Sequence, residues 1–177
     1  MKKLRYFRHS DRKGQFITPA GLKRAKRELP IEPYTDGFYG PLIRTAQTLA
    51  AFAQVLKWKL HIHEPIREIC DEIMEDQGDT PEFLSAVKDG LNNFDAANVS
   101  FSRDRIELIQ GEASLAVIQM FIEIEDGGYG LAVGHDPLIS FAAQSLGWKE
   151  PRSLKTLEYI DFEQGDDGQI RFVAVGP

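Results

Sequence analysis

The sequence contains a single cysteine, Cys70, so no internal disulfide can form, and no short Cys/His spacing outlines a zinc cage. That fits a reducing compartment. No run approaches the roughly 20 apolar residues needed to span a bilayer. Met1 to Phe7 is charged and reaches Arg8 too early to hold the apolar centre of a signal peptide. The expected location is the cytoplasm. A basic excess is also missing: 21 Lys and Arg face 27 Asp and Glu, for a net charge of -6. This argues against nucleic acid or an anionic membrane as partner, since both call for a basic face. A local basic pocket stays compatible with it. Internal repeats and low-complexity segments are absent too, and 177 residues suffice for one domain with its own core.

What is present alternates between strand and helix patterns. Leu4 to Phe7 has the apolar composition of a strand and stops at the polar cluster Arg8 to Gly14. Thr18-Pro19 starts a helix, because threonine caps free N–H groups and proline suits the first turn. Leu22, Ala25 and Leu29 recur at helical spacing, with Lys23, Arg24, Lys26 and Arg27 as a solvated face. After a loop with a brief strand at Phe38 and Tyr39, Pro41 opens a second helix with an apolar stripe of Leu42, Ala46, Leu49, Ala50, Ala53 and Leu56. Leu60 to His63 has strand character. From Ile66 to about Asp126 the pattern is mostly helical, with breaks at Gly78 to Pro81, around Asn92-Asn93 and near Gly111. Tyr129 to Val133 is a buried strand ending in Gly134-His135, and Asp136-Pro137 caps a further helix. Leu157 to Phe162 and Ile170 to Val175 form two last strands around the turn residues Gly165 to Gly168. Strands alternating with helices predict a mostly parallel sheet covered on both faces.

In such sheets ligands bind beyond the carboxyl ends of the strands. His9 and His135 both fall there. Arg8 precedes His9, and the helix after Pro137 brings positive N-terminal N–H groups towards His135. Arg44 lies in the first turn of its helix, where a cation is mildly unfavourable unless it binds an anion; pairing with Asp36 is its ordinary alternative. His61 and His63 alternate as metal ligands on a strand would, but no third ligand is evident nearby, so no metal is expected. Phe38, Tyr39 and Trp58 suit packing, Tyr34 to Tyr39 could border a pocket mouth, and Asp136 suits an N-cap.

Four separated segments, Leu4 to Ser10, Ile17 to Gly21, Gly40 to Thr48 and Val133 to Leu138, resemble, in order, the histidine phosphatase superfamily, relatives of the cofactor-dependent phosphoglycerate mutases. The resemblance implies a three-layer α/β/α sandwich of the phosphoglycerate mutase-like kind over residues 1–177, with a cap-like helical stretch at about 78–126. It implies that His9 is the nucleophile and that Arg8, Arg44 and His135 bind the phosphoryl oxygens, with Ser10 beside them. Neutral imidazole is a competent nucleophile, and a covalent intermediate divides one difficult displacement into two. Paired guanidinium groups suit phosphate better than lysine does.

The family draws the leaving-group proton from a carboxylate after the third strand. The match at Ile66 to Ile69 makes Glu68 the candidate general acid, with Asp71 and Glu72 as alternatives or no acid at all. Ser10 stands where the family usually has glycine and costs roughly 1 kcal/mol if that position needs a positive φ. The implied activity is hydrolysis of a phosphomonoester or of protein phosphohistidine, without cofactor. Mutase-like phosphotransfer and non-catalytic binding of a phosphorylated ligand are the alternatives.

Overall fold

The computed structural model describes residues 1–66 and 80–177. Its elements, in chain order, begin with β1 (Lys2–Arg8), the short pair β2 (Arg12–Lys13) and β3 (Phe16–Ile17), and α1 (Pro19–Glu28). Next come β4 (Asp36–Tyr39), α2 (Ile43–Val55) and β5 (His61–Ile62), then three helices, α3 (Pro81–Lys88), α4 (Asn93–Ser100) and α5 (Arg103–Glu123). The chain closes with β6 (Tyr129–Gly134), α6 (Leu138–Ser145), β7 (Tyr159–Gln164) and β8 (Ile170–Gly176).

Six strands form one sheet in the order β5-β4-β6-β1-β7-β8. The first four run parallel, and β7 joins β1 antiparallel, with β8 antiparallel to β7. The central parallel strands β4, β6 and β1 are buried on both faces, as a parallel sheet requires, while the edge strands β5 and β8 are largely exposed. Because side chains alternate along a strand, Leu4 and Tyr6 of β1 join a core with Met120, Phe121 and Phe141 from α5 and α6. Phe7 faces the other way, into a core with Ala25 of α1 and Leu49 and Phe52 of α2. Helices thus cover the sheet on both sides, and the expected three-layer α/β/α sandwich is present.

Several local expectations need correction. The second helix begins at Ile43, not Pro41, and its buried stripe is Thr45, Thr48, Leu49, Ala51, Phe52 and Ala53. The burial is rotated from the predicted stripe because Thr45 and Thr48 satisfy their hydroxyls on the backbone carbonyls of Leu42 and Arg44 at 2.6 and 2.9 Å, which makes threonine cheap to bury. Gly111 does not break α5. Burial of Ile109, Ala113, Val117 and Phe121 along that helix outweighs the ~1 kcal/mol that one interior glycine costs. The break instead falls just before α5, where Ser102 caps it by accepting from the Arg105 N–H. Trp58 is exposed, not packed with Phe38. Tyr34 is buried against Arg5 and Tyr129, away from the pocket described below. The first of the two last strands starts at Tyr159, since Leu157 takes a left-handed φ of 67°, outside strand geometry. Among the described residues, no helix is long and apolar enough to cross a membrane.

Candidate active site

The parallel pairing of β1 with β6 builds the centre of the site. Arg8 is in register with Gly134, and the His9 N–H donates to the Gly134 carbonyl at 3.1 Å. The next residue on each strand is then a histidine, and the rings of His9 and His135 stand 5.0 Å apart. The loop after β1 is fastened from two helices. Ser10 N–H donates to Thr48 Oγ1 of α2 at 3.2 Å, and the Ser10 hydroxyl donates to the Gly21 carbonyl of α1 at 2.8 Å. Gly21 is needed there, because a Cβ would sit 2.5 Å from the Asp11 carbonyl oxygen.

His9 is buried, and its Nδ1 lies 2.8 Å from the Ser10 carbonyl oxygen. A carbonyl can only accept, so Nδ1 carries the proton and the neutral ring keeps its lone pair on Nε2. Burial first, then the charges of Arg44, Arg8 and Arg12, push the His9 pKa down to about 4, against the opposing hydrogen bond to Ser10. The imidazole is therefore neutral near pH 7. Ser10 is not among the non-glycine residues at positive φ, so serine brings no left-handed strain here. Its hydroxyl points to Gly21 and not to the pocket, which separates Ser10 from the other candidate residues.

Arg8, His9, Arg44 and His135 do meet, around a cavity of about 80 Å³. Arg44 reaches it from the first turn of α2, and Asp36 pairs instead with Thr35 and His63, at 2.7 and 2.9 Å. Arg8 donates through one terminal nitrogen to the Leu154 carbonyl, while its buried Nε has no acceptor among the described residues. A buried N–H of that kind suits an anionic ligand.

Two wall residues, Arg12 and Asn93, escape a reading of the sequence. Arg12 belongs to the polar cluster after the first strand, where nothing local sets it apart from its charged neighbours, and Asn93 lies in the first turn of α4, where asparagine passes for capping. Arg24 is also more than a solvated charge: it bonds Asp11 at 3.2 Å and the Thr156 hydroxyl at 2.9 Å, bracing the loop. Asp136 does not cap α6, whose N-cap is Pro137; its carboxylate turns inward to Ser140, Ser153 and Leu154. Glu68, Asp71 and Glu72 lie outside the described residues. Among the described residues, no cluster of three or more His, Cys, Asp or Glu could hold a metal.

No protein-family model and no curated protein sequence matches the chain. Solved structures do. A phosphoserine phosphatase from Entamoeba histolytica, in complex with 3-phosphoglyceric acid, is 18% identical with a TM-score of 0.67, covering 100% of this chain and 98% of that one. A phosphoglycerate mutase from Bacillus anthracis is 14% identical with a TM-score of 0.65, over 97% of this chain and 91% of that one. The protein histidine phosphatase SixA, complexed with tungstate, is 16% identical with a TM-score of 0.52, over 98% of this chain and 95% of that one. The sheet order, the helices on both faces and these similarities agree that the chain has a phosphoglycerate mutase-like fold.

Proposed function

We propose that this chain is a phosphatase that hydrolyses a phosphomonoester or a protein phosphohistidine through a phosphohistidine intermediate on His9. One observation carries the reading: a buried, neutral His9 with Nδ1 fixed on the Ser10 carbonyl, in a cavity walled by Arg8, Arg12 and Arg44. In the first step the Nε2 lone pair attacks phosphorus, the bond from phosphorus to the leaving group breaks, and the leaving atom takes a proton. Glu68, with Asp71 and Glu72 as alternatives, is the proposed donor. In the second step water attacks the phosphohistidine, releasing inorganic phosphate and restoring His9. Guanidinium groups stabilise the charge that spreads over the equatorial oxygens, and His135 faces the same oxygens from the neighbouring strand. Charge stabilisation of that strength requires no metal.

The proposed partner is a phosphorylated small molecule or a phosphohistidine-bearing protein. We place the helical stretch at about 78–126 over the pocket as the element that sets access, because Asn93 already reaches the cavity wall. The test is hydrolysis of a small aryl phosphate in the presence of chelator, for the parent and His9→Ala, with acid-quench trapping under conditions that spare phosphohistidine. Chelator-resistant turnover that needs His9, with label trapped on it, is the expected result. Phosphate binding without turnover or label would leave a non-catalytic binding protein, and return of the label to an acceptor substrate would mark a mutase.

A further inference from the structure

Asp136 is buried, 5% exposed, directly after His135. Its contacts run to the segment that closes over Arg8. Oδ1 accepts from the Leu154 N–H at 3.2 Å, and Oδ2 accepts from the Ser153 hydroxyl. The Ser140 hydroxyl lies 2.8 Å from Oδ1 and 2.7 Å from the Arg152 carbonyl, linking α6 to the same segment. The Leu154 carbonyl in turn accepts from the Arg8 guanidinium. A second anchor lies further along, where the Arg8 N–H donates to the Glu158 carbonyl at 2.9 Å and the Leu157 N–H donates to the Arg8 carbonyl at 3.2 Å. That anchor holds the Arg8 backbone. The part of the segment that touches the guanidinium is held by Asp136.

We propose that Asp136 is a positioning residue that aims Arg8 at the phosphoryl group by fixing the Leu154 carbonyl on which the guanidinium rests. The proposal rests on the reading of this cavity as a phosphate site. An arginine side chain has four rotatable torsions, and bidentate recognition requires its fork to hold one orientation. The carboxylate supplies the rigidity. Two acceptor oxygens engage two consecutive residues of the segment, so the Ser153–Leu154 peptide, which leads directly into the residue that carries this carbonyl, can neither turn nor withdraw without stranding a buried carboxylate. The desolvated charge also attracts the nearby Arg8 cation, which adds to the same alignment. Asp136 touches no reacting atom in this scheme; its effect on the phosphoryl group passes through Arg8.

A double-mutant cycle on inorganic phosphate affinity, measured by calorimetry, tests this independently of turnover. Asp136→Ala is expected to weaken phosphate binding about tenfold in the parent and in Arg44→Ala, but less than about twofold in Arg8→Ala, since no aim remains to lose. A general loosening of the pocket would weaken all three backgrounds alike, and that result overturns the proposal, as does an unchanged affinity in the parent. If Asp136→Ala does not fold, Ser153→Ala removes only one hydroxyl; it is carried through the same cycle, with a loss of about threefold expected and the same dependence on Arg8. A parent that binds phosphate without turning over a phosphate ester removes the catalytic reading, while the cycle still decides the role of Asp136. A parent that binds no phosphate overturns both.

Discussion

His9 and His135 meet edge to face across two neighbouring parallel strands, with ring centroids 5.0 Å apart and planes inclined by 60°. The contact follows from backbone register: Arg8 pairs with Gly134, so each strand delivers its histidine one residue beyond that last register pair, with the His9 N–H still bonded to the Gly134 carbonyl. Parallel strands place both carboxyl ends on the same edge of the sheet, and two imidazoles from distant parts of the chain come to face one small cavity.

The depressed pKa of His9 makes stability depend on pH with a definite sign. The folded value is about 4 and the ordinary value 6.5, so the unfolded chain takes up the proton first as the pH falls. The contribution is fully present above about pH 6.5 and is lost progressively down to about pH 4, by on the order of 3 kcal/mol. Urea denaturation of the parent and of His9→Asn should therefore show the parent losing this much more on acidification. In the same window the acid limb of kcat/KM should lie near pH 4. A limb at the ordinary histidine value would mean that His9 is not the titrating nucleophile.

Arg44→Lys keeps the charge but removes the planar fork. A loss of roughly 10- to 100-fold in kcat/KM is expected, about 1.4 to 3 kcal/mol, because lysine cannot make the bidentate contact. Steady-state kinetics on an aryl phosphate decides this; an unchanged kcat/KM would remove Arg44 from phosphate recognition.

Gly21→Ala should affect stability and turnover together. Its methyl group would lie 2.5 Å from the Asp11 carbonyl oxygen, so α1 must move away from the loop that carries His9 and Ser10. We expect about 2 kcal/mol of destabilisation, in the range of overpacking, and a fall in kcat as the Ser10 hydrogen bond to Gly21 is stretched. Thermal unfolding and single-turnover rates check the two effects separately.

Phe52→Ala, by contrast, should separate them. Phe52 is fully buried, and its ring lies 4.9 Å from that of Phe7, on the face of the sheet between β1 and α2. Truncation should cost about 3 to 5 kcal/mol while leaving kcat close to the parent value in the fraction still folded. Chemical denaturation together with active-site-normalised rates measures both.

Much of this architecture is legible in the residues themselves. The apolar run at Leu4 to Phe7 ends in Arg8-His9, the Thr18-Pro19 pair starts α1 with the Thr18 hydroxyl accepting from the Gly21 N–H, and Thr80-Pro81 starts α3 in the same way. Such signals are local, since a cap or a period needs only its near neighbours. Arg8, His9, Arg44 and His135 could be singled out because each sits at the end of a strand or the start of a helix, where the chemistry of an α/β sheet gathers.

The residues alone thus carry the alternation of the main strands and helices, a sheet covered on both faces, and four of the side chains that line the cavity, Arg8, His9, Arg44 and His135, but not the short strands β2 and β3. Only the tertiary structure decided how they are held: that Ser10 turns its hydroxyl away to Gly21, that Arg24 braces Asp11 and Thr156, that Arg12 and Asn93 join the wall, and that Asp136 faces the segment over Arg8. Each of these depends on contacts between residues far apart in the chain. A polar side chain has several local partners of similar strength, and desolvation by distant elements, rather than any neighbour in sequence, selects among them.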